Sequence, residues 1–247
     1  MASSAPVTSW PWLPKGFAST RWSLVRRSTL PDAVDSRAAA EVFCRVYWFP
    51  LYSFLRGKGY THIDTQDHVQ SFLAKLIHRG TLVKADPAKG RLRHYLMTLV
   101  LRHAAARHQA SKARKRGGEV VHLSIDWVDA EAGYLAAQQM ESEPDAMFRQ
   151  QLAVRLVEES VASLGTAFAK AGREELFAAL LPSLEGVMTD CSFAELAGQL
   201  GMTEGAVRVA SCRLRERFRK SLRQVASQAL GMPVGLELDE ELRQIFG

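Results

Sequence analysis

Apolar residues recur at helical intervals along nearly the whole chain. Ala38–Leu55 places Val42, Val46, Phe49 and Leu55 at helix-like spacing, with Pro50 expected to kink or restart the helix and Gly57 and Gly59 to end it. Asp64–His78 repeats the pattern with Val69, Phe72, Leu73, Leu76 and Ile77, and Gly80 follows as a stop signal. Ala85-Asp86-Pro87 and Gly90 mark a loop. Leu92–His108 carries Leu92, Tyr95, Leu96, Leu99 and Val100 at the spacing of one more strong helix. These segments predict a compact helical bundle.

The character changes after Gly117-Gly118. Val120–Ile125 suits a short extended stretch, and Asp126–Tyr134 is acidic and irregular. The stretch is longer, at about 25 residues, than loops within domains, which predicts an interdomain linker. A second helical set begins near Asp145, with candidates at Phe148–Ala162, Arg173–Leu180, Phe193–Leu200 and Glu204–Ala229. Leu236–Phe246 reads as a last short helix that either packs amphipathically on one of the domains or frays. The expected fold is all-α, with two small helical domains joined by an acidic linker. The expected boundaries are a loose arm at 1–16, a first domain at 17–116, the linker at 117–144, a second domain at 145–230 and a tail at 231–247.

One pair of helices in the second domain has a distinctive layout. Ser192 can cap a helix, with Glu195 completing a capping box, and Phe193, Leu196, Ala197 and Leu200 form its apolar face. Gly201 stands where a left-handed cap is expected, and Thr203 can cap the next helix. Ala206, Val207, Val209, Ala210 and Leu214 are expected inside; Glu204, Arg208, Ser211 and Cys212 are expected outside. This is a helix-turn-helix pattern, whose second helix lies in the major groove when it binds DNA. Arg208 is the best base-edge candidate, because a guanidinium pairs bidentately with guanine. Arg213, Arg215, Arg217 and Arg219 suit phosphate contacts or solvent. The plainer alternative is a helical hairpin with a basic surface.

Charge strengthens the nucleic-acid reading. The chain of 247 residues carries a formal charge of +6, which favours polyanionic partners. The distribution says more: Arg91–Gly118 holds Arg91, Arg93, Arg102, Arg107, Lys112, Arg114, Lys115 and Arg116 with no acid. A solvated helix face normally mixes charges. A second basic run, Arg213–Arg223, is broken only by Glu216.

Other function classes find little support. The three cysteines, Cys44, Cys191 and Cys212, lack the spacing of a disulfide framework or zinc site and fit a reducing cytoplasm. No run of about 18 apolar residues and no secretory signal layout is present, so no membrane partner is expected. The seven histidines form no HExxH, and GxSxG and Gly-rich phosphate loops are absent; neither catalysis, metal nor cofactor is expected.

Ser192–Leu222, SFAELAGQLGMTEGAVRVASCRLRERFRKSL, resembles the minus-35-binding domain of extracytoplasmic-function sigma factors, a branch of the sigma-70 family of bacterial transcription initiation factors. Tyr47–Leu76 (YWFPLYSFLRGKGYTHIDTQDHVQSFLAKL) resembles their polymerase-binding helices, and Asp86–Gln109 (DPAKGRLRHYLMTLVLRHAAARHQ) the segment that opens the minus-ten element. FASTRWSLV near the start, and KRGG and LSIDW around the linker, resemble one branch of that family.

The resemblance implies a non-enzymatic initiation factor. It binds core RNA polymerase, recognises both promoter elements and promotes strand opening. The alternative is a helix-turn-helix regulator that acts without polymerase. Implied minus-35 contacts are Thr203, Glu204, Arg208, Ser211, Cys212 and Arg215. Implied minus-ten contacts are Arg91, Arg93, Tyr95, Arg102, Arg107 and Lys112, where Tyr95 either stacks on a base or belongs to the core. Arg102 stands where many members have Asn. Polymerase contacts would come from Asp64, Asp67, Gln70, Phe72, Leu73 and Lys75.

Partners implied are core polymerase, double-stranded and locally melted promoter DNA, and an anti-sigma factor or Ser/Thr kinase. Ile63–Asp67 is less acidic than the family pattern, and Thr65 stands within it. Thr65 either caps the following helix or accepts a phosphate of about −2 charge. In the linker, Asp126, Asp129 and Glu131 either imitate a nucleic-acid backbone or belong to a plain spacer, with Trp127 and Tyr134 as anchors.

Overall fold

The computed structural model describes residues 34–78, 91–113, 127, 129–140, 143–185 and 190–247, without the side chains of 34–40, 78, 108–113, 185 and 190–192. The arm 1–16, the segment FASTRWSLV, the loop Thr81–Gly90, Val120–Ile125 and Asp126 lie outside the described residues. The described residues are all-helical, with no strand among them. They form two compact units: the described parts of Met1–Leu156 with Ala226–Gly247, and Val157–Val225.

In the first unit, α1 spans Val34–Gly57, α2 His62–His78, α3 Leu92–Ala113 and α4 Ala130–Met140. Helix α1 packs against the other three. Its Val46, Tyr47, Leu51, Tyr52 and Leu55 are fully buried. A helix that is apolar on several sides belongs at the centre of a bundle. Of the kink or restart expected at Pro50, the restart does not occur: α1 continues through this proline, which is itself buried. An interior proline costs about 3 kcal/mol of helix stability. Burial of the aromatic and aliphatic residues on both sides of Pro50 offsets that cost.

The α1–α2 junction is a tight turn. Gly59 adopts φ +91, and the Tyr60 N–H donates to the Leu55 carbonyl at 3.2 Å. Thr61, and not Thr65, then caps α2: its Oγ1 accepts from the Asp64 N–H at 3.2 Å and donates to the Asp64 carboxylate at 2.8 Å. Thr65 stands one turn further in and is fully buried.

The stretch expected to be an irregular linker holds α4. Ala130, Tyr134 and Ala137 recur at helical spacing and are buried. Gly133 is needed for this seat, since a Cβ there would stand 2.9 Å from the Phe49 ring.

Helix α5, Pro144–Lys170, begins where the Glu143 carboxylate accepts from the Ala146 N–H at 2.7 Å. Its Phe148 lies 6.4 Å from the Tyr47 ring and 6.1 Å from Phe54. Those contacts draw the start of α5 into the first unit, so the unit boundary falls after Leu156 and not at the linker.

The second unit holds the remainder of α5, α6 at Glu174–Leu180, a 3-10 turn at Leu181–Glu185, α7 at Asp190–Leu200 and most of α8, Glu204–Leu230. Helix α7 starts at Asp190, ahead of Ser192, which therefore lies within the helix and not at its cap. The tail forms α9, Leu236–Phe246, and belongs to the first unit.

Candidate nucleic-acid interface

Helices α7 and α8 are joined by Gly201, Met202 and Thr203. Gly201 adopts φ +62, a conformation that costs a residue with a Cβ about 1 kcal/mol or more. The Met202 N–H donates to the Ala197 carbonyl at 3.0 Å, closing α7. Thr203 Oγ1 accepts from the Ala206 N–H at 3.2 Å, opening α8. Phe193 and Ala197 of α7 are buried, as are Val207 and Leu214 of α8.

Two α8 positions differ from expectation. Ser211 is buried at 1% exposure, and Val209 is 50% exposed. At about 100° per residue, Ser211 falls about 40° from Val207, on the buried stripe, whereas Val209 falls about 160° away. Ser211 is therefore no outward contact, and Val209 is no core residue.

The outer face of α8 carries exposed Glu204, Arg208, Cys212, Arg213, Arg217 and Lys220. Arg208 is held in place: Nε and Nη2 donate to Glu204 Oε1 at 2.9 and 2.7 Å, and the guanidinium lies 4.8 Å from the Phe193 ring centre. A base contact through Arg208 would draw it from Glu204. Half-buried Arg215 donates from Nε to the Ser183 carbonyl at 3.0 Å, which ties α8 to the 3-10 turn. A cavity of about 270 Å³ lies between α5, α6 and α8, lined by Phe168, Leu176, Val209 and Leu214 together with Arg173 and Arg213.

In the first unit, α3 divides its basic residues. Arg102 and Arg107 are exposed; Tyr95 is half-buried; the side chain of Lys112 lies outside the described residues. Arg93, expected to be a phosphate contact, is instead buried at 6% exposure. It pairs with Glu241 of α9, and its Nη2 donates to Gln244 Oε1 at 3.3 Å. Arg91 lies 3.3 Å from the other Glu241 oxygen. Arg93 is covered because α9 buries Leu238, Leu242 and Ile245 in this unit and carries Glu241 inward with them. The local pattern of α3 held no sign of this; the acids within LELDEELRQIF at helical spacing were the available signal.

On α2, Asp64, Asp67 and Lys75 are exposed and Gln70 is half-buried. Phe72 and Leu73, expected to be apolar anchors for a partner, are buried at 5% and 0% exposure. Leu73 is a core residue because it follows Val69 on the inner stripe of α2. Phe72 lines a cavity of about 220 Å³ with Lys75, Leu76, Leu99, Arg102 and His103. His103 Nε2 meets Ser71 Oγ at 2.8 Å. Burial first, and then the nearby cations, lower the His103 pKa to about 4, so the ring is neutral near pH 7.

Of Asp126, Asp129 and Glu131, the two described residues differ in setting. Asp129 is exposed. Glu131 accepts from Tyr52 Oη at 2.6 Å and from Arg56 Nε at 2.9 Å. Arg56 holds its carboxyl below the usual range despite partial burial. Trp127 meets Trp48 edge-on at 5.3 Å, and Arg56 lies 4.9 Å from the Tyr134 ring centre. This network of Arg56, Tyr52 and Glu131 had no local sequence signal. Among the described residues, no group of His, Cys, Asp and Glu is placed to hold a metal, and no helix is long and apolar enough to cross a membrane.

No family model, curated protein or solved structure matches this chain.

Proposed function

We propose that this chain is a transcription initiation factor of the extracytoplasmic-function sigma type, which binds core RNA polymerase and promoter DNA. The observation that carries the reading is the α7–α8 pair: a three-residue Gly201–Thr203 turn leads into a capped helix whose outer face bears Arg208, Arg213, Arg217 and Lys220. A helix so presented suits a major groove, with its N-terminal turns nearest the base edges. The reading also draws on the resemblance of Ser192–Leu222, Tyr47–Leu76 and Asp86–Gln109 to that family.

Under this reading Thr203, Glu204, Arg208 and Cys212 face the upstream promoter element, and Arg213 and Arg217 neutralise phosphate. Arg102 and Arg107 of α3 serve the downstream element as it opens. Asp64, Asp67 and Lys75 of α2 meet polymerase. Control by phosphate on Thr65 would require that buried residue to come to the surface first.

One observation favours a second reading, a DNA-binding regulator independent of polymerase. The burial of Phe72 and Leu73 removes the apolar centre from the α2 docking face. Gel filtration of the chain with core polymerase separates the two. A stoichiometric complex that transcribes from a cognate promoter supports the sigma reading. Tight duplex binding without that complex leaves the regulator.

A further inference from the structure

The guanidinium groups of Arg91 and Arg93 meet a single carboxylate, that of Glu241 on α9. Arg149 of α5 adds a third positive charge near enough to act on Arg93. The side chains of Arg93 and Glu241 are only 7% and 8% exposed, so both ions have lost most of their water. Burial outweighs pairing for each partner: it lowers the Arg93 pKa and raises that of Glu241. A buried pair of this kind adds little stability compared with an apolar contact. The grip of α9 comes from its apolar residues Leu238, Leu242 and Ile245.

The connection to α8 leaves α9 room to move. The chain is held as far as Met232, whose carbonyl accepts from Ser227 Oγ at 2.5 Å and whose N–H donates to the Ser227 carbonyl at 3.1 Å. Pro233, Val234 and Gly235 follow; Val234 is 60% exposed, and no other group lies within 4 Å of a Cβ placed at Gly235. A pivot there would swing α9 without disturbing α8.

We propose that α9 is a displaceable acidic cover, whose Glu241 carboxylate occupies the phosphate position at Arg91 and Arg93, and that nucleic acid bound along α3 expels it. The inference rests on the nucleic-acid part of the reading above. In the covered state, the exposed arginines among the described side chains of α3 are Arg102 and Arg107. Displacement would uncover two further cations, Arg91 and Arg93, at the N-terminal end of α3. A polyanion would then have to supply the free energy of displacement before reaching Arg91 and Arg93, which favours a correctly placed strand.

Hydrogen exchange on the full chain tests this, with a fluorescein-labelled forked DNA (a duplex arm with a single-stranded tail) as the probe. Saturating DNA should speed exchange at residues 236–246 at least about tenfold while α1 stays protected. Exchange at 236–246 that is unchanged or slower with DNA bound overturns the cover. The full-length variant Glu241→Lys, which repels Arg91 and Arg93, should bind the fork about fivefold tighter than Glu240→Lys, which makes the same charge change on α9. Equal affinity of the two variants also overturns it. If Glu241→Lys does not fold, exchange on the unaltered chain decides alone. A chain that transcribes with core polymerase yet keeps α9 protected retains the sigma reading and loses the cover. A chain that ignores polymerase yet releases α9 to DNA does the reverse.

Discussion

Arg56 and Glu131 stand 75 positions apart in the chain and meet in a two-pronged contact, with Arg56 Nε 2.9 Å from Glu131 Oε2 and Nη2 on the other oxygen. Tyr52 donates to the same carboxylate, and Arg56 Nη1 also reaches the Tyr60 carbonyl at 2.6 Å. The contact pins α4 to the end of α1 and to the turn that follows. It turns a stretch that could have been a spacer into part of the first unit's fold.

Loss of that contact should show in stability. Glu131→Gln is expected to cost about 1–2 kcal/mol, because the carboxylate that accepts from Arg56 is replaced by a neutral amide with one acceptor oxygen. The thermal midpoint should fall by about 2–6 °C. Arg56→Lys should not restore the parent value, since an ammonium cannot fill the planar fork. A midpoint unchanged in both variants would mean that α4 does not depend on this contact.

Acid should weaken the fold in a window set by His103. Its folded pKa is lowered to about 4 from an ordinary 6.5. The unfolded chain takes up a proton at this ring as pH drops below 6.5, and the folded chain resists until about 4. The resulting stability is fully present above pH 6.5 and is lost as pH falls towards 4. His94, also lowered by burial and its arginine neighbours, acts in the same direction. Chemical denaturation at pH 7 and pH 4.5 should show a smaller drop for His103→Gln than for the parent. An identical drop would count against the buried neutral ring.

The two basic helices should separate by substrate. Arg208→Ala with Arg213→Ala on α8 should weaken binding to duplex promoter DNA about tenfold or more and make the salt slope shallower by about 1–2. Arg102→Ala with Arg107→Ala on α3 should leave duplex affinity near the parent's and weaken the forked DNA instead. Fluorescence anisotropy at two salt concentrations reads both. Equal losses on both DNAs from either pair would remove the division of labour between the helices.

Much of this molecule was legible locally. Helical periodicity, the cap at Thr203, the positive-φ glycine at Gly201 and the final helix at Leu236–Phe246 depend on residues within one or two turns of each other. Local chemistry of that kind is written directly in the residue order. The Pro50 helix shows where such signals yield: tertiary burial of its neighbours outweighed a local breaker.

The sequence by itself determined the helical character of the described residues, a short glycine turn between two helices and two concentrations of positive charge. Only the tertiary structure decided which of those charges face solvent. Arg93 and Arg107 look alike in the chain, yet one is buried against Glu241 and the other is exposed. The physical reason is that burial belongs to pairs of surfaces: a residue 148 positions away covers Arg93, and no property of α3 alone encodes its arrival.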